Sequence, residues 1–84
     1  MEALDGNAIG GLLLEVFGVE MTTATGTCDN CGATGVVAEF AVYHQAPGTV
    51  VRCPACEYVL MVFSQLRGRY CVDLGGLRTL AAAG

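Results

Sequence analysis

Lysine and tryptophan are absent from this 84-residue sequence, histidine occurs once, and proline occurs twice. With no lysine and with His44 alone, general acids and bases are scarce. No Ser-His-Asp set, phosphate-cradling loop or paired-carboxylate site stands out among the remaining residues. The net charge is −4, which disfavours the broad basic face that nucleic acid binding requires. No apolar run reaches the length of a bilayer span, so no membrane segment is expected. The apolar start also lacks the basic region that opens a signal peptide. These absences point to a non-enzymatic, cytoplasmic chain. In that reducing compartment, paired cysteines bind metal more often than they form disulfides.

What the sequence does contain is cysteine, in a pattern. Cys28-Asp29-Asn30-Cys31 and Cys53-Pro54-Ala55-Cys56 are two matched C-x2-C pairs, with residues 32–52 between them. Each pair places two thiols on one tight turn, so both sulfurs can point at a single ion. Two such turns supply four sulfurs, the donor set of a tetrahedral Zn2+ site. Gly32 follows the first pair and suits a turn whose amides face the sulfurs, while Pro54 stiffens the second. Four thiolates leave no coordination position for water or substrate, so such a site is structural or electron-transferring rather than hydrolytic. Iron is the alternative occupant of the same cage.

Two residues near this motif are expected to stand apart from it. His44 is not needed as a ligand, because the sulfurs already complete a tetrahedron. Cys71, the fifth cysteine, reads as a small buried strand residue. Neither C-x2-C pair sits in the βαβ setting of a thioredoxin-like redox site.

Size and hydropathy raise a second issue. A chain this short forms a marginal core, and small domains commonly add a metal or a partner. Apolar residues make up 54% of the sequence, more than so small a molecule readily hides. An exposed apolar patch marks an interaction surface, so a protein partner or a homo-oligomer is expected. The charges divide unevenly. Residues 1–42 carry acidic groups only, including Glu2, and all four arginines (Arg52, Arg67, Arg69 and Arg78) lie in the second half. A nucleic-acid-binding reading would rest on these four arginines, with Tyr58 or Tyr70 to stack on bases, and on the small basic spot that Arg67 and Arg69 make at a turn.

The patterning predicts a small α+β domain spanning 1–84: a helix over 4–18, a ribbon over 20–74 and a tail over 75–84. Leu4, Ala8, Ile9, Leu12, Leu13, Val16 and Phe17 form one helical stripe, with Asp5 or Asn7 as cap and Gly18 as stop. The opposite side carries Gly6, Gly10 and Gly11, bare enough for another chain to approach closely. Strands are expected over Met21–Thr27, Val36–Tyr43, Thr49–Arg52, Tyr58–Phe63 and Arg69–Leu74, in an antiparallel sheet of about four to five strands. Val36, Ala38, Phe40 and Val42 would share one face. Turns are expected at Gln45–Gly48 and Arg67–Gly68. Gly75 and Gly76 end the last strand, and Leu77–Gly84 reads as a short helix or a frayed end. Each half repeats strand, C-x2-C, strand, with an offset of 25 residues. The Tyr58–Phe63 strand is apolar on both faces. One face suits the helix and the other needs a partner.

Cys-x-x-Cys-Gly and Cys-Pro-x-Cys, within Thr25 to Phe63, resemble zinc-ribbon proteins and the two iron-binding loops of rubredoxin. The ribbon likeness implies a sheet carrying two zinc knuckles, with Cys28, Cys31, Cys53 and Cys56 as ligands. The rubredoxin likeness implies a one-electron carrier. The chain departs from rubredoxin in having Glu57 where glycine follows the second pair, and in lacking tryptophan. The whole chain is also similar to a family of small uncharacterised actinobacterial ribbon proteins, through Leu4-Asp5-Gly6-Asn7-Ala8, Gly10-Gly11-Leu12-Leu13 and the cysteine pairs. Genes for molybdopterin and flavin oxidoreductases neighbour those of such proteins, so this likeness implies an accessory or regulatory role beside a redox enzyme.

Overall fold

The computed structural model describes residues 4–45 and 48–82. Glu2, the centre of the expected turn at Gln45–Gly48, and the last two residues of the tail lie outside the described residues. The architecture is α+β, with one short helix and two antiparallel sheets. The first sheet has five strands in the order β1 (Leu4–Asp5), β4 (Ala41–Gln45), β5 (Gly48–Arg52), β6 (Val59–Leu66) and β7 (Arg69–Asp73). The second has three, in the order β3 (Thr34–Val36), β2 (Thr25–Cys28) and β8 (Leu77–Ala81). Neither sheet alone could bury two apolar faces. Together with the helix they enclose one core.

The expected helix is shorter than its apolar stripe. Leu4 and Asp5 pair with Val42 and Ala41 as a strand, and Gly6–Ile9 forms a 3-10 turn. The α-helix, α1, runs only over Gly10–Phe17. Asp5 caps the 3-10 turn by accepting from the Asn7 N–H, and Gly18 ends α1 in the left-handed region, with its N–H donating to the Leu14 carbonyl. Of the stripe, Ile9 and Leu13 are buried and Leu4 is exposed. Sheet pairing claims the first residues because β4 offers a free ladder there, and glycine-rich helix starts are weak. The glycine side does not meet another chain at Gly6. That residue is buried against the protein's own Val37 carbonyl.

The helix lies on one face of the five-stranded sheet. Phe17 meets Phe63 edge-on, with ring centroids 6.4 Å apart, and Tyr70 Oη on β7 donates to Glu15 Oε2 on α1 at 2.9 Å. Beneath the helix lie Val42, Val51, Met61 and Phe63, all buried. Leu60 is buried as well, although it neighbours Met61. A register shift explains this: Val51 pairs with Met61 and Arg52 pairs with Val59, which leaves Leu60 as the extra residue of a bulge. The bulge turns two consecutive apolar side chains inward. Thus the expectation that β6 is apolar on both faces holds, but the helix-covered side takes the larger share.

Three other expectations are corrected. The strand over Val36–Tyr43 is split by a 3-10 turn at Val37–Glu39, which moves Val37 into the core beside Phe40 and Val42 and leaves Val36 and Ala38 half-buried. Hydrogen bonds from Val37 N–H to the Ala24 carbonyl and from Ala38 N–H to the Thr22 carbonyl hold that turn. The stretch from Met21 to Ala24 is a turn, and the strand begins at Thr25. The tail is a strand over Leu77–Ala81, because β2 presents an edge to it. Thr27, Thr34 and Thr79 hydroxyls run across the small sheet as a hydrogen-bonded row. By contrast, the turn at Arg67–Gly68 is as expected. Both residues have positive φ (53° and 77°), and Leu66 pairs with Arg69 across them. This is the two-residue turn whose twist suits a hairpin.

Candidate metal centre

The two cysteine turns sit on different sheets. The first joins β2 to β3 in the small sheet, and the second joins β5 to β6 in the large one. Their backbones match residue for residue at the offset of 25. Cys28 N–H donates to the Ala33 carbonyl and Gly32 N–H to the Cys28 carbonyl, at 2.9 and 3.0 Å. Cys53 N–H donates to the Tyr58 carbonyl and Glu57 N–H to the Cys53 carbonyl, at 2.9 and 2.8 Å. The architectural repeat read from the sequence is therefore present in the hydrogen bonding.

Both turns require a residue with positive φ after the second cysteine. Gly32 supplies it at 77°, and Glu57 adopts it at 64°. Glutamate there carries the steric cost that glycine avoids. Arg52 Nη1 donates to the Glu57 carbonyl at 2.9 Å and its guanidinium stacks over Tyr43, which holds the strained residue in place. Replacing Glu57 with Gly is expected to stabilise the metal-loaded protein by up to about 1 kcal/mol, while Gly32→Ala costs about 1–2 kcal/mol. Urea unfolding of both variants checks this. Opposite signs at equivalent positions are the distinctive outcome.

Facing each other, the turns gather the sulfurs of Cys28, Cys31, Cys53 and Cys56 within 4.8 Å of one another. Cys28 Sγ lies 3.7 Å from Cys56 Sγ, and Cys31 Sγ lies 3.7 Å from Cys53 Sγ. A tetrahedron with metal–sulfur bonds of ~2.3 Å has edges of ~3.8 Å, so these spacings fit a zinc-sized cation. All four thiols are free, with none in a disulfide. Cys28 and Cys53 are buried, Cys56 is half-buried and Cys31 is exposed, so the cluster opens to solvent on one side only.

The surroundings favour negative charge on one sulfur. The Asn30 side-chain amide donates to Cys56 Sγ at 3.6 Å and, with the Tyr58 backbone, holds that thiol down to about 6. At Cys31 the Ala33 backbone N–H acts in the same direction, but Cys56, desolvation and the other sulfurs outweigh it and push the thiol up to about 11. A bound dication takes all four as thiolates. Around the first turn, Arg78 Nε contacts Asp29 Oδ1 at 3.3 Å, and Asp29 N–H donates to the Gly76 carbonyl at 2.9 Å. Arg78 lies on β8 and Gly76 just before it, in a stretch whose sequence marks only a break followed by a short helix or frayed end.

The remaining candidates fall elsewhere. His44 lies in β4, exposed, with Nδ1 3.2 Å from Thr49 Oγ1, and takes no part in the sulfur cluster. Cys71 is exposed, against expectation. It lies on the edge strand of the large sheet, where α1 does not cover it. Arg52 and Arg78 are engaged within the molecule, and Arg67 and Arg69 stand at the β6–β7 hairpin. No helix among the described residues is long and apolar enough to cross a membrane.

Comparison with curated proteins and with solved structures finds no match. The model of a family of unknown function, DUF6510, matches residues 1–84, and the chain belongs to that family.

Proposed function

We propose that this is a structural zinc-binding protein of zinc-ribbon type, non-enzymatic, acting as a protein-interaction module. One Zn2+ is held by Cys28, Cys31, Cys53 and Cys56, with the two turns serving as zinc knuckles. The observation that carries this reading is the 3.7 Å spacing of the paired sulfurs across two hairpins of different sheets. Four thiolates close the coordination sphere, so the metal holds the molecule together rather than activating water. The interaction role rests on apolar surface that the fold leaves uncovered. Leu14 and Val19 are exposed at and just beyond α1, Tyr58 is exposed before β6, and Val59 and Val62 are only half-buried. The likeness to actinobacterial ribbon proteins makes a redox enzyme the client for an accessory or regulatory role.

Metal analysis of natively produced protein tests the first part. One zinc per chain and a colourless solution are expected, and Co2+ substitution should give the intense visible bands of a tetrahedral thiolate site. A red, reversibly reducible iron protein would overturn zinc in favour of electron transfer. Affinity capture from native extract tests the second part. A clean monomer retaining no other protein would count against the interaction role. Salt-sensitive DNA or RNA binding that is lost on Arg67→Ala with Arg69→Ala would replace it with the nucleic-acid reading.

A further inference from the structure

The large sheet ends in an edge strand, β7, whose residues 69–73 pair with β6 in unbroken register. Natural edge strands are commonly blunted by a bulge, proline or lysine. This one has no bulge, proline or lysine, and its two charged residues, Arg69 and Asp73, are of opposite sign at its two ends. Among the described residues no strand covers its outer side.

The hydrogen-bonding direction of β7 follows from its turn. Leu66 and Arg69 flank the two-residue turn, so they form a hydrogen-bonded pair and the Arg69 backbone points toward β6. The Cys71 and Asp73 backbones, two and four residues on, point the same way. The N–H and C=O groups of Tyr70 and Val72 therefore face outward, with no backbone partner among the described residues. Val72 is 39% exposed and Cys71 is exposed.

We propose that β7 pairs antiparallel with β7 of a second copy of this chain, about a two-fold axis at Cys71. That register places Arg69 opposite Asp73 of the other copy, and Asp73 opposite its Arg69. Tyr70 faces Val72, an aromatic against a β-branched residue, and Cys71 faces Cys71. Opposite charges and aromatic–branched pairs are the favourable cross-strand combinations. The backbone agrees independently. Tyr70 and Val72 carry the outward groups and stand opposite each other in this register, so both exchange hydrogen bonds. The pairing joins two five-stranded sheets into one and uses a surface distinct from the metal centre. It deepens the interaction reading by naming a partner, and rests on that reading only in this respect.

Sedimentation equilibrium on the full, metal-loaded chain tests the pairing. A dimer is expected. Arg69→Asp opposes two carboxylates at each end and should raise the dimer Kd roughly ten-fold or more. Combining it with Asp73→Arg restores opposite charges and should bring the Kd back toward the original. Val72→Pro removes an outward N–H that the monomer does not use, and should abolish the dimer while circular dichroism stays unchanged. Diamide, taking two protons and two electrons from two thiols, should link the dimer through Cys71 and fail on Cys71→Ser. A monomer at near-millimolar concentration, or a dimer indifferent to both Arg69→Asp and Val72→Pro, overturns the proposal. A monomer that still captures a foreign protein sinks the dimer but leaves the interaction module standing.

Discussion

Stripping the metal with a strong chelator is expected to dissolve the small sheet first and then the cooperative fold. Zinc binding supplies about 10–16 kcal/mol in small four-ligand peptides. The whole stability of a chain this long is about 4–13 kcal/mol on typical per-residue values. Losing the first term is enough to exhaust the second. The geometry adds an order of events. β2 and β3 carry one cysteine turn, and β5 and β6 carry the other, so the sulfurs are a junction between sheets. Apart from the sulfurs, the small sheet is held to the rest by the Val37 and Ala38 hydrogen bonds, the Gly76 bridge, and the packing of Leu77 and Leu80 against the core. The helix, by contrast, is anchored on the large sheet through Leu13 and the Phe17–Phe63 contact, away from the sulfurs. Amide hydrogen exchange after chelation should therefore lose protection in β2, β3 and β8 before β5 and β6. An apo protein with an unchanged unfolding midpoint would refute the metal as a staple.

Gly76→Ala is expected to be among the most damaging single substitutions outside the cysteines, alongside a change at Gly6, whose added Cβ would meet the Val37 carbonyl oxygen at the same 1.8 Å. A Cβ on Gly76 would stand 1.8 Å from the Val59 carbonyl oxygen and 2.6 Å from Leu60 Cα, both backbone atoms that cannot swing away. The segment would have to lift off β6. Gly76 also bridges the two sheets: its N–H donates to the Leu60 carbonyl at 3.2 Å, and its carbonyl accepts from Asp29 in the first cysteine turn at 2.9 Å. Overpacking at about 1–3 kcal/mol, with two weakened hydrogen bonds at about 1 kcal/mol each, gives a cost of about 3–5 kcal/mol. The melting midpoint of the loaded protein should fall by more than about 12 °C. Gly11→Ala is the control. Nothing lies within 4 Å of its added Cβ, and in the helix it should stabilise by up to about 1 kcal/mol. If both variants melt alike, the close approach at Gly76 carries no weight.

The chemistry of the centre was legible because it is local. A C-x2-C turn needs no distant residue to aim two sulfurs the same way, and Gly32 announces the positive φ that the turn demands. Glu57 did not announce it. Its conformation follows from the hydrogen bonds of Cys53 and Glu57 within the turn, and Arg52 supports it. The hairpin at Arg67–Gly68 was readable for the same local reason. Misreadings came where a distant strand outbid local preference. Leu4 and Asp5 fit a helical stripe but pair with β4. Leu77–Ala81 has no strong strand signature, yet β2 has an open edge beside it. Cys71 looked buried between Tyr70 and Val72 because an alternating pattern cannot say which strand lies at the edge.

The sequence by itself determined the donor set of the candidate centre, the repeat of strand, turn and strand around it, the scarcity of acid–base groups and the amphipathic helix that closes one face. Each depends on residue identity and short spacing, which the chain carries explicitly. Tertiary structure alone decided that the two cysteine turns belong to separate sheets, so that one metal would join them. It also decided that Gly76 crosses β6 at backbone contact, and that β7 has no outer strand among the described residues. These depend on strand order, and strand order is settled by which partner buries the most apolar surface and satisfies the most backbone groups across the whole fold.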